Sequence, residues 1–502
     1  MTATGATHVP GAETPVSRSP LGPLGDVSPE DLRAHLHTLA DWAADYREKV
    51  EGLTIAPSVA PGEIAAMTTS SPPELPESID EIVADLDRVV MPGVLHWGHP
   101  GFVAYFGSTS NGPALLGEIA SAALNVSAMT WRTSPAATEL ETVVLDWIRQ
   151  MVGLSDKFTG IVYDTASTGV LHAMAAAREA KGGDIRRKGM AGRTDLPRYR
   201  LYTSDQAHSS LEKAAIVLGF GEENVVRVGC DDAFRMDSSQ LRDAIRADVS
   251  QGFVPLTVVA TVGTTSAASV DPVADIAEIC REHDVWLHVD AAYGGPMAIL
   301  PEGRFVFDGV EHADSVVINP HKWLFVPLDF STLYIRRPDL LKEVFSLTRE
   351  YLKLDASSGA INYMDYGYQL GRRFRALKAW MTFRAFGRSG IESRIRENCR
   401  LADYFAQLVK AHAAFEMAAP QSMAVVAFRY VPAGADGDVA DRMNEEIVNM
   451  INETGRNYIT HTNLNGRVAM RIGIGNILTE QRHLDDLWLQ ILAAAGLDKL
   501  KG

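Results

Sequence analysis

The sequence predicts an α/β fold: a mainly parallel sheet with helices on both faces, preceded by a helical segment and followed by a small α+β domain. Three observations predict it. Between residues 160 and 335, short β-branched runs alternate with stretches of helical periodicity, and such alternation puts parallel strands between covering helices. After Gly371 the alternation stops, and two helical stretches precede separated strands. The 502 residues, 46% of them hydrophobic, are enough for more than one core. The expected organisation is a leader over 1–26, a helical segment over 27–110, a large domain over 111–377 and a small domain over 378–502.

Taken in order, the leader is rich in Thr, Ser, Gly and Pro and reads as disordered. It has neither a basic start nor an apolar core, so it is not a secretory signal. Ser28-Pro29 then starts a helix, with Ser28 as N-cap and Leu32, Leu36 and Leu39 on one stripe. A second helix is expected from Ile79 to Val90. These helices cannot bury their faces alone and need a partner surface. Residues 96–108 hold too many aromatics and breakers for a regular element; they suit a pocket wall or a hydrophobic clamp. His96 and His99 have no carboxylate or cysteine set near them, so no metal site is predicted. Ser134-Pro135 begins a strong helix, with Leu140, Val143, Val144, Trp147, Ile148 and Met151 as its core stripe. Glu139 and Glu141 fall near the positive end of its dipole.

Strands are expected at Ile161 to Tyr163, Arg200 to Thr203, Thr257 to Val262, Val285 to Val289, Val316 to Ile318 and Leu333 to Ile335. Helices fall at Val170 to Glu179, Ser209 to Leu218 and around Val273 to Cys280. The last part reads as helices over Leu377 to Phe386 and Gly390 to Ala411, strands over Met423 to Tyr430 and Val468 to Ile474, and a closing helix from Thr479 to Ala495. The formal net charge of −16 argues against nonspecific nucleic-acid or anionic-membrane binding. No apolar run is long enough to span a bilayer. Three cysteines without a paired spacing fit a reduced cytoplasmic setting.

Open α/β sheets bind ligands where strands end, and several strand ends here carry complementary polar groups. Thr165-Ala166-Ser167 opens a helix and reads as a phosphate cradle or as simple capping. His208 is available for stacking or acid–base work, or is structural. Asp290 ends an apolar run, where a carboxylate is costly unless paired; a pyridinium N–H, a metal or a helix cap would serve. Thr265 supplies a hydroxyl, and Ala292 leaves room for a flat ring. Asn319-Pro320-His321-Lys322-Trp323 puts a lysine just past a strand, either exposed in a turn or poised to form a Schiff base. Cradle, imidazole, aspartate and lysine together are the set that pyridoxal phosphate requires.

These residues also carry a resemblance. Met91-Pro92-Gly93-Val94, the Ser134 to Glu141 stretch, Asp205-Gln206-Ala207-His208-Ser209-Ser210, Leu287-His288-Val289-Asp290-Ala291-Ala292-Tyr293, Asn319 to Trp323 and Leu370-Gly371-Arg372-Arg373-Phe374-Arg375 resemble the pyridoxal-phosphate-dependent group II decarboxylases, closest to the aromatic L-amino-acid decarboxylases. The resemblance runs from about residue 28 to the end. It implies the aspartate-aminotransferase-like fold (fold type I) with a seven-stranded sheet, and a homodimer with active sites at the interface. It implies that Lys322 holds the cofactor, Asp290 pairs with the pyridine nitrogen and His208 stacks on the ring. Ala166, Ser167 and Asn319 would hold the phosphate, with Thr165 beside them, and Thr265, Ala292 and His321 would line the site. Trp97, Tyr105, Phe106 and Ser108 match the substrate-side loop, and His321 also faces substrate. Tyr351 matches the tyrosine that protonates the substrate carbon after CO2 leaves; phenylalanine there would indicate an oxygen-consuming aldehyde synthase.

The departures bear on the substrate. Gly107-Ser108 replaces the family's Pro-Thr, while Ser127 and Met129 replace larger residues and make the pocket roomier. Gly371 favours a bulky aromatic substrate over histidine. The implied activity is decarboxylation of tryptophan, phenylalanine, tyrosine or DOPA. The alternatives are aldehyde synthesis, decarboxylation of histidine or glutamate, and a cofactor-free scaffold. Glutamate would need a dedicated basic residue, and the sequence offers none that can be identified.

Overall fold

The computed structural model describes residues 26–107, 109–347 and 360–497. All but the last residue of the expected leader, together with Ser108 and Tyr351, lies outside the described residues. The chain divides into two compact units, Met1–His96 and Trp97–Gly502.

In the first unit the helix Pro29–Lys49 starts as its sequence predicts: Ser28 Oγ accepts the Asp31 N–H at 3.1 Å, and Pro29 takes the first helical position. The next helix, expected to Val90, is α-helical only over Ile79–Asp85, where Ser78 and Glu81 form a capping box. It widens into a π-helical turn over Leu86–Val90. Leu32, Leu36 and Leu39 are exposed.

The second unit holds a seven-stranded sheet. Its strands are β1 (Thr159–Tyr163), β2 (Arg198–Ser204), β3 (Val225–Val228), β4 (Phe253–Thr261), β5 (Trp286–Asp290), β6 (Ser315–Ile318) and β7 (Ser331–Ile335), in the order β1-β7-β6-β5-β4-β2-β3. All neighbours are parallel except β7, which runs antiparallel to β1 and β6. The mainly parallel sheet is as expected. The sequence reading missed β3, a four-residue edge strand with little burial to pattern it. The central strands β5 and β6 are buried at every residue, which is why they read as unbroken apolar runs rather than alternations. The register of β2 on β4 slips at Pro255, which has no N–H to give the ladder.

The helix Pro135–Val152 begins with Ser134 Oγ accepting the Ala137 N–H. Val144, Ile148 and Met151 of its stripe are buried, whereas Val143 is exposed. Glu141 departs from its expected role. It is 2% exposed and forms a bidentate pair with Arg372, itself 9% exposed: Nη2 to Oε1 is 2.6 Å and Nη1 to Oε2 is 3.0 Å. Two residues 231 apart in sequence meet, and no local pattern announces that.

The helix Ala376–Ala411 is interrupted at Gly387 (φ 63°, ψ 168°), which separates the two helices that the sequence predicts. The remaining strands are β8 (Phe415–Met417), β9 (Val425–Tyr430), β10 (Thr460–Leu464) and β11 (Arg467–Gly473). They form an antiparallel sheet ordered β10-β11-β9-β8. Helix Gly437–Glu453, absent from the sequence reading, packs on this sheet and on the closing helix Gln481–Ala494.

Burial holds two histidines uncharged. His288 on β5 is fully buried with Nδ1 2.8 Å from Ser315 Oγ, and His172 sits inside helix Ala166–Ala180. Desolvation pushes both pKa values down to about 4. Between pH 6.5 and 4 the unfolded chain binds protons that the folded chain refuses. The stability they confer is therefore complete above pH 6.5 and is lost as pH falls towards 4, by on the order of 3 kcal/mol per histidine. The urea midpoint should fall across that window, and His288→Asn should fall less; equal slopes would refute this account.

Candidate active site

Strands β4, β5 and β6 end side by side, with Thr261 opposite Asp290 and Asp290 opposite Val317. Backbone hydrogen bonds stitch the ends together beyond the strands: Asn319 N–H to Ala292 O at 3.1 Å, Ala291 N–H to Val317 O at 3.0 Å and Val262 N–H to Asp290 O at 2.8 Å. Asp290, 7% exposed, accepts the Ala292 N–H at 3.0 Å on Oδ1. Its other oxygen has no hydrogen bond among the described residues.

β6 runs into a single helical turn, Pro320–Trp323, with proline at the first position. The turn directs Lys322 into a cavity of about 150 Å³ whose walls include Asp290, His208, Asn319 and Ala292. The Lys322 nitrogen lies 4.9 Å from the Phe106 ring centre and pairs with no carboxylate among the described residues. Lys322 keeps some accessible surface, but protein surrounds its nitrogen. Burial lowers its pKa, Asp290 works against that, and repulsion from Arg471 works with it. The amine is biased towards its neutral, nucleophilic form.

The Thr165-Ala166-Ser167 stretch lies on the same wall. Thr165 is the N-cap of helix Ala166–Ala180, and its Oγ1 accepts the Thr168 N–H at 3.4 Å. The N–H groups of Ala166 and Ser167 have no partner among the described residues, which is the anion-binding end of a helix. Gly169 brings this end close to β6: a Cβ there would lie 3.0 Å from Val317 Cγ2. The Asn319 Oδ1 and Thr261 Oγ1 atoms are buried without a hydrogen-bond partner among the described residues. His208 Nδ1 accepts the Ser210 N–H at 3.2 Å. Burial lowers the pKa of the His208 imidazole while Asp290 draws the proton back. The floor of the cavity, at Asp290, Ala292 and Asn319, is buried; its rim, at Ser167, His208 and Thr265, is exposed.

Nine of the ten residues expected around a cofactor thus share one wall, and His321 does not. One step along the helical turn from Lys322, its side chain points about 100° away, and its Nδ1 accepts the Phe330 N–H at 3.1 Å. Burial holds its pKa down to about 3. Of the substrate-side loop, Phe106 reaches the cavity, stacked on Tyr293 at 3.8 Å. Trp97 and Tyr105 stack on each other, 5.6 Å apart, off the wall and half-exposed. Ser127, Met129 and Gly371 are also off the wall, gathered around the contact between Ala128 and Arg372.

Sequence reasoning missed three residues. Thr261 and Gly263 line the cavity; Gly263 has φ 90°, and a Cβ on it would lie 2.9 Å from Gly294 N. Their signal was their position at the end of β4, just before Thr265, which was expected there and also lines the cavity; Thr264 Oγ1 accepts the Ser269 N–H within a turn. Arg471 on β11 donates to Thr265 O at 2.9 Å and to Tyr105 O at 2.7 Å, with its guanidinium 4.7 Å from the Phe106 ring centre. Nothing local marks a strand arginine for that task.

The donor set fits pyridoxal phosphate. A depressed primary amine suits its aldehyde, unpaired N–H groups at a helix start suit its phosphate, and a buried carboxylate with a spare oxygen suits its ring nitrogen.

Comparison with known proteins agrees. The pyridoxal-dependent decarboxylase conserved domain matches residues 61–431. Tryptophan decarboxylase 2 of Oryza sativa subsp. japonica is 37% identical over 93% of this chain and 94% of its own length. Phenylacetaldehyde synthase of Arabidopsis thaliana is 36% identical over 93% of this chain and 96% of its own. A crystal structure of Oryza sativa TDC with PLP and tryptamine superposes with a TM-score of 0.90 at 36% identity, covering 95% of this chain and 99% of that one. With a domain match across most of the sequence and relatives aligned nearly end to end, the chain belongs to the pyridoxal-dependent decarboxylase family.

Proposed function

We propose that this protein decarboxylates an aromatic L-amino acid, of the tryptophan, phenylalanine, tyrosine or DOPA class, to the corresponding arylalkylamine and CO2. The observation that carries the reading is Lys322 and Asp290 on the wall of one cavity, with a helix start for a phosphate beside them. Bound pyridoxal phosphate supplies an electron sink for the bond that loses CO2. Lys322 offers a neutral amine to the cofactor, and Asp290 keeps a proton on the pyridine nitrogen. Thr165, Ala166, Ser167 and Asn319 hold the phosphate, and His208 lies against the ring. Phe106 closes the inner wall and excludes water from the Lys322 amine. Tyr351 gives its hydroxyl proton to the substrate's α-carbon.

The working form is a homodimer. The rim is exposed in the single chain, the Leu32–Leu36–Leu39 stripe has an open apolar face, and Ser127, Met129 and Gly371 do not reach the cavity of their own chain. A second copy would cover the rim and bring those residues to substrate. The three free cysteines suit a reducing cytoplasm.

The relative that is an aldehyde synthase favours a second reading, in which the same site consumes oxygen and water and releases aldehyde, CO2, ammonia and peroxide. Tyr351 favours decarboxylation alone. Holoprotein given each of the four amino acids should release CO2 and amine in equal amounts; no CO2 from any of them would overturn the proposal. Lys322→Ala should lower kcat by at least about 10³-fold with the fold intact by circular dichroism. Tyr351→Phe should divert product from amine to aldehyde, with peroxide appearing in step; unchanged amine yield would remove Tyr351 from the reaction.

A further inference from the structure

The Glu141–Arg372 pair is expensive for what it does to stability. Taking two charges out of water costs about as much as their attraction returns, and an apolar pair of similar volume would often do as well. A planar fork meeting a carboxylate instead fixes geometry. The backbone groups held here are specific. Arg372 Nη1 donates to Ala128 O at 3.1 Å and Nη2 to Val162 O at 2.8 Å, while Glu141 Oε1 accepts the Val162 N–H at 3.2 Å. The Arg372 carbonyl in turn accepts the Ala128 N–H at 2.8 Å. The guanidinium also lies 4.9 Å from the Tyr363 ring centre.

Of the two segments so held, only one depends on the pair. β1 is fixed in any case by its ladder to β7, where Val162 faces Thr332. Ala128 has both its N–H and its carbonyl committed to Arg372. Its neighbours are held more lightly, Ser127 O by the Thr133 hydroxyl and Met129 O by the Met364 N–H. Ser127 Oγ is buried without a partner among the described residues, an acceptor and donor left for something else. Gly371, adjoining Arg372, has open space where a Cβ would stand. Neither Glu141 nor Arg372 lies on the wall around Lys322.

We infer that the Glu141–Arg372 pair positions the Ser127–Met129 segment and Gly371 as the surface that selects the substrate side chain, and takes no part in the chemistry at Lys322. This rests on the proposed aromatic-amino-acid reading. Arg372 is a positioning residue: it acts through Ala128 on Ser127 and Met129, which under the proposed dimer face the substrate in the partner's site.

Arg372→Lys keeps the charge and loses the fork. In the holoprotein it should shift the ratio of kcat/KM for tryptophan over tyrosine by about fivefold or more, through KM, because a displacement of the order of 1 Å in a positioning element has effects of that size or larger. The kcat for the better substrate and the cofactor's absorbance should stay within about twofold. Amide hydrogen exchange should quicken at Ala128 and Met364 and not at Thr168 or Gly169. If Arg372→Lys does not fold, Glu141→Asp, which retracts the carboxylate by one methylene, is read by the same measures. An unchanged substrate ratio, or loss of kcat and cofactor together at a constant ratio, overturns the inference. If the wild type acts on no aromatic amino acid, the functional reading fails by itself, and the exchange pattern still decides whether the pair holds the segment: unchanged exchange at Ala128 and Met364 overturns it.

Discussion

The molecule depends on keeping an amine and a carboxylate out of water at the ends of adjacent strands. Lys322 and Asp290 share a cavity without forming an ion pair, so neither offsets the other's desolvation as a contact pair would. Each is placed by register rather than by a loop: Asp290 is the last residue of β5, and Lys322 follows a one-turn helix that begins where β6 ends. The ends are tied by backbone hydrogen bonds among Asn319, Ala292, Ala291 and Val317, which no side-chain substitution removes directly. The cost of holding two such groups falls on the strands beneath, and every residue of β5 and β6 is buried. A site of this kind loosens only if the centre of the sheet does.

The residues expected to act sort into two sets by distance from that centre. Those expected to hold the cofactor, His321 apart, stand at or just past strand ends or at a helix start and meet in one chain. Those expected to choose the substrate, Trp97, Tyr105, Ser127, Met129 and Gly371, stand on connecting segments off the wall. Under the proposed function, rigid elements would carry the shared chemistry and loops the choice, the division expected where one scaffold serves many substrates. Under the proposed dimer, selectivity is also the part of the site that awaits a second copy.

How much could be read in advance follows the same line. Lys322, Asp290 and the Thr165 turn were legible because each is a local pattern, an apolar run ended by a polar residue that the strand's end exposes to a ligand. The helix starts at Ser28 and Ser134 were legible because an N-cap is a local hydrogen bond. The break expected between Phe386 and Gly390 is where Gly387 separates the two helices. Besides helix Gly437–Glu453, the misses are of two kinds. β3, β8 and β10 are short or half-exposed strands whose pairing partners, not their own residues, make them strands. Glu141 looked like a dipole partner, because what decides it, Arg372, arrives from elsewhere in the chain. Arg471 belongs with it: its role consists of two carbonyls and a ring that sequence places over two hundred residues away.

Arg471 also bears on the proposed role of Lys322. Phe106 presents its ring to both cations, with the Lys322 nitrogen 4.9 Å and the Arg471 guanidinium 4.7 Å from its centre. Two positive charges in so small a dry space repel, and the one that yields is the one with the weaker hold on its proton. Burial brings Arg471 down only to about 10, so at neutral pH it stays charged, with its donors committed to the carbonyls of Thr265 and Tyr105. Lysine starts lower, has no delocalised charge to protect it, and here lacks a carboxylate in contact. Asp290 pulls the other way but from across the cavity, and burial outweighs it. The arginine that braces the two site loops therefore also adds to the lowering of the Lys322 pKa, so that one residue from the C-terminal sheet bears on both the shape of the cavity and its electrostatics.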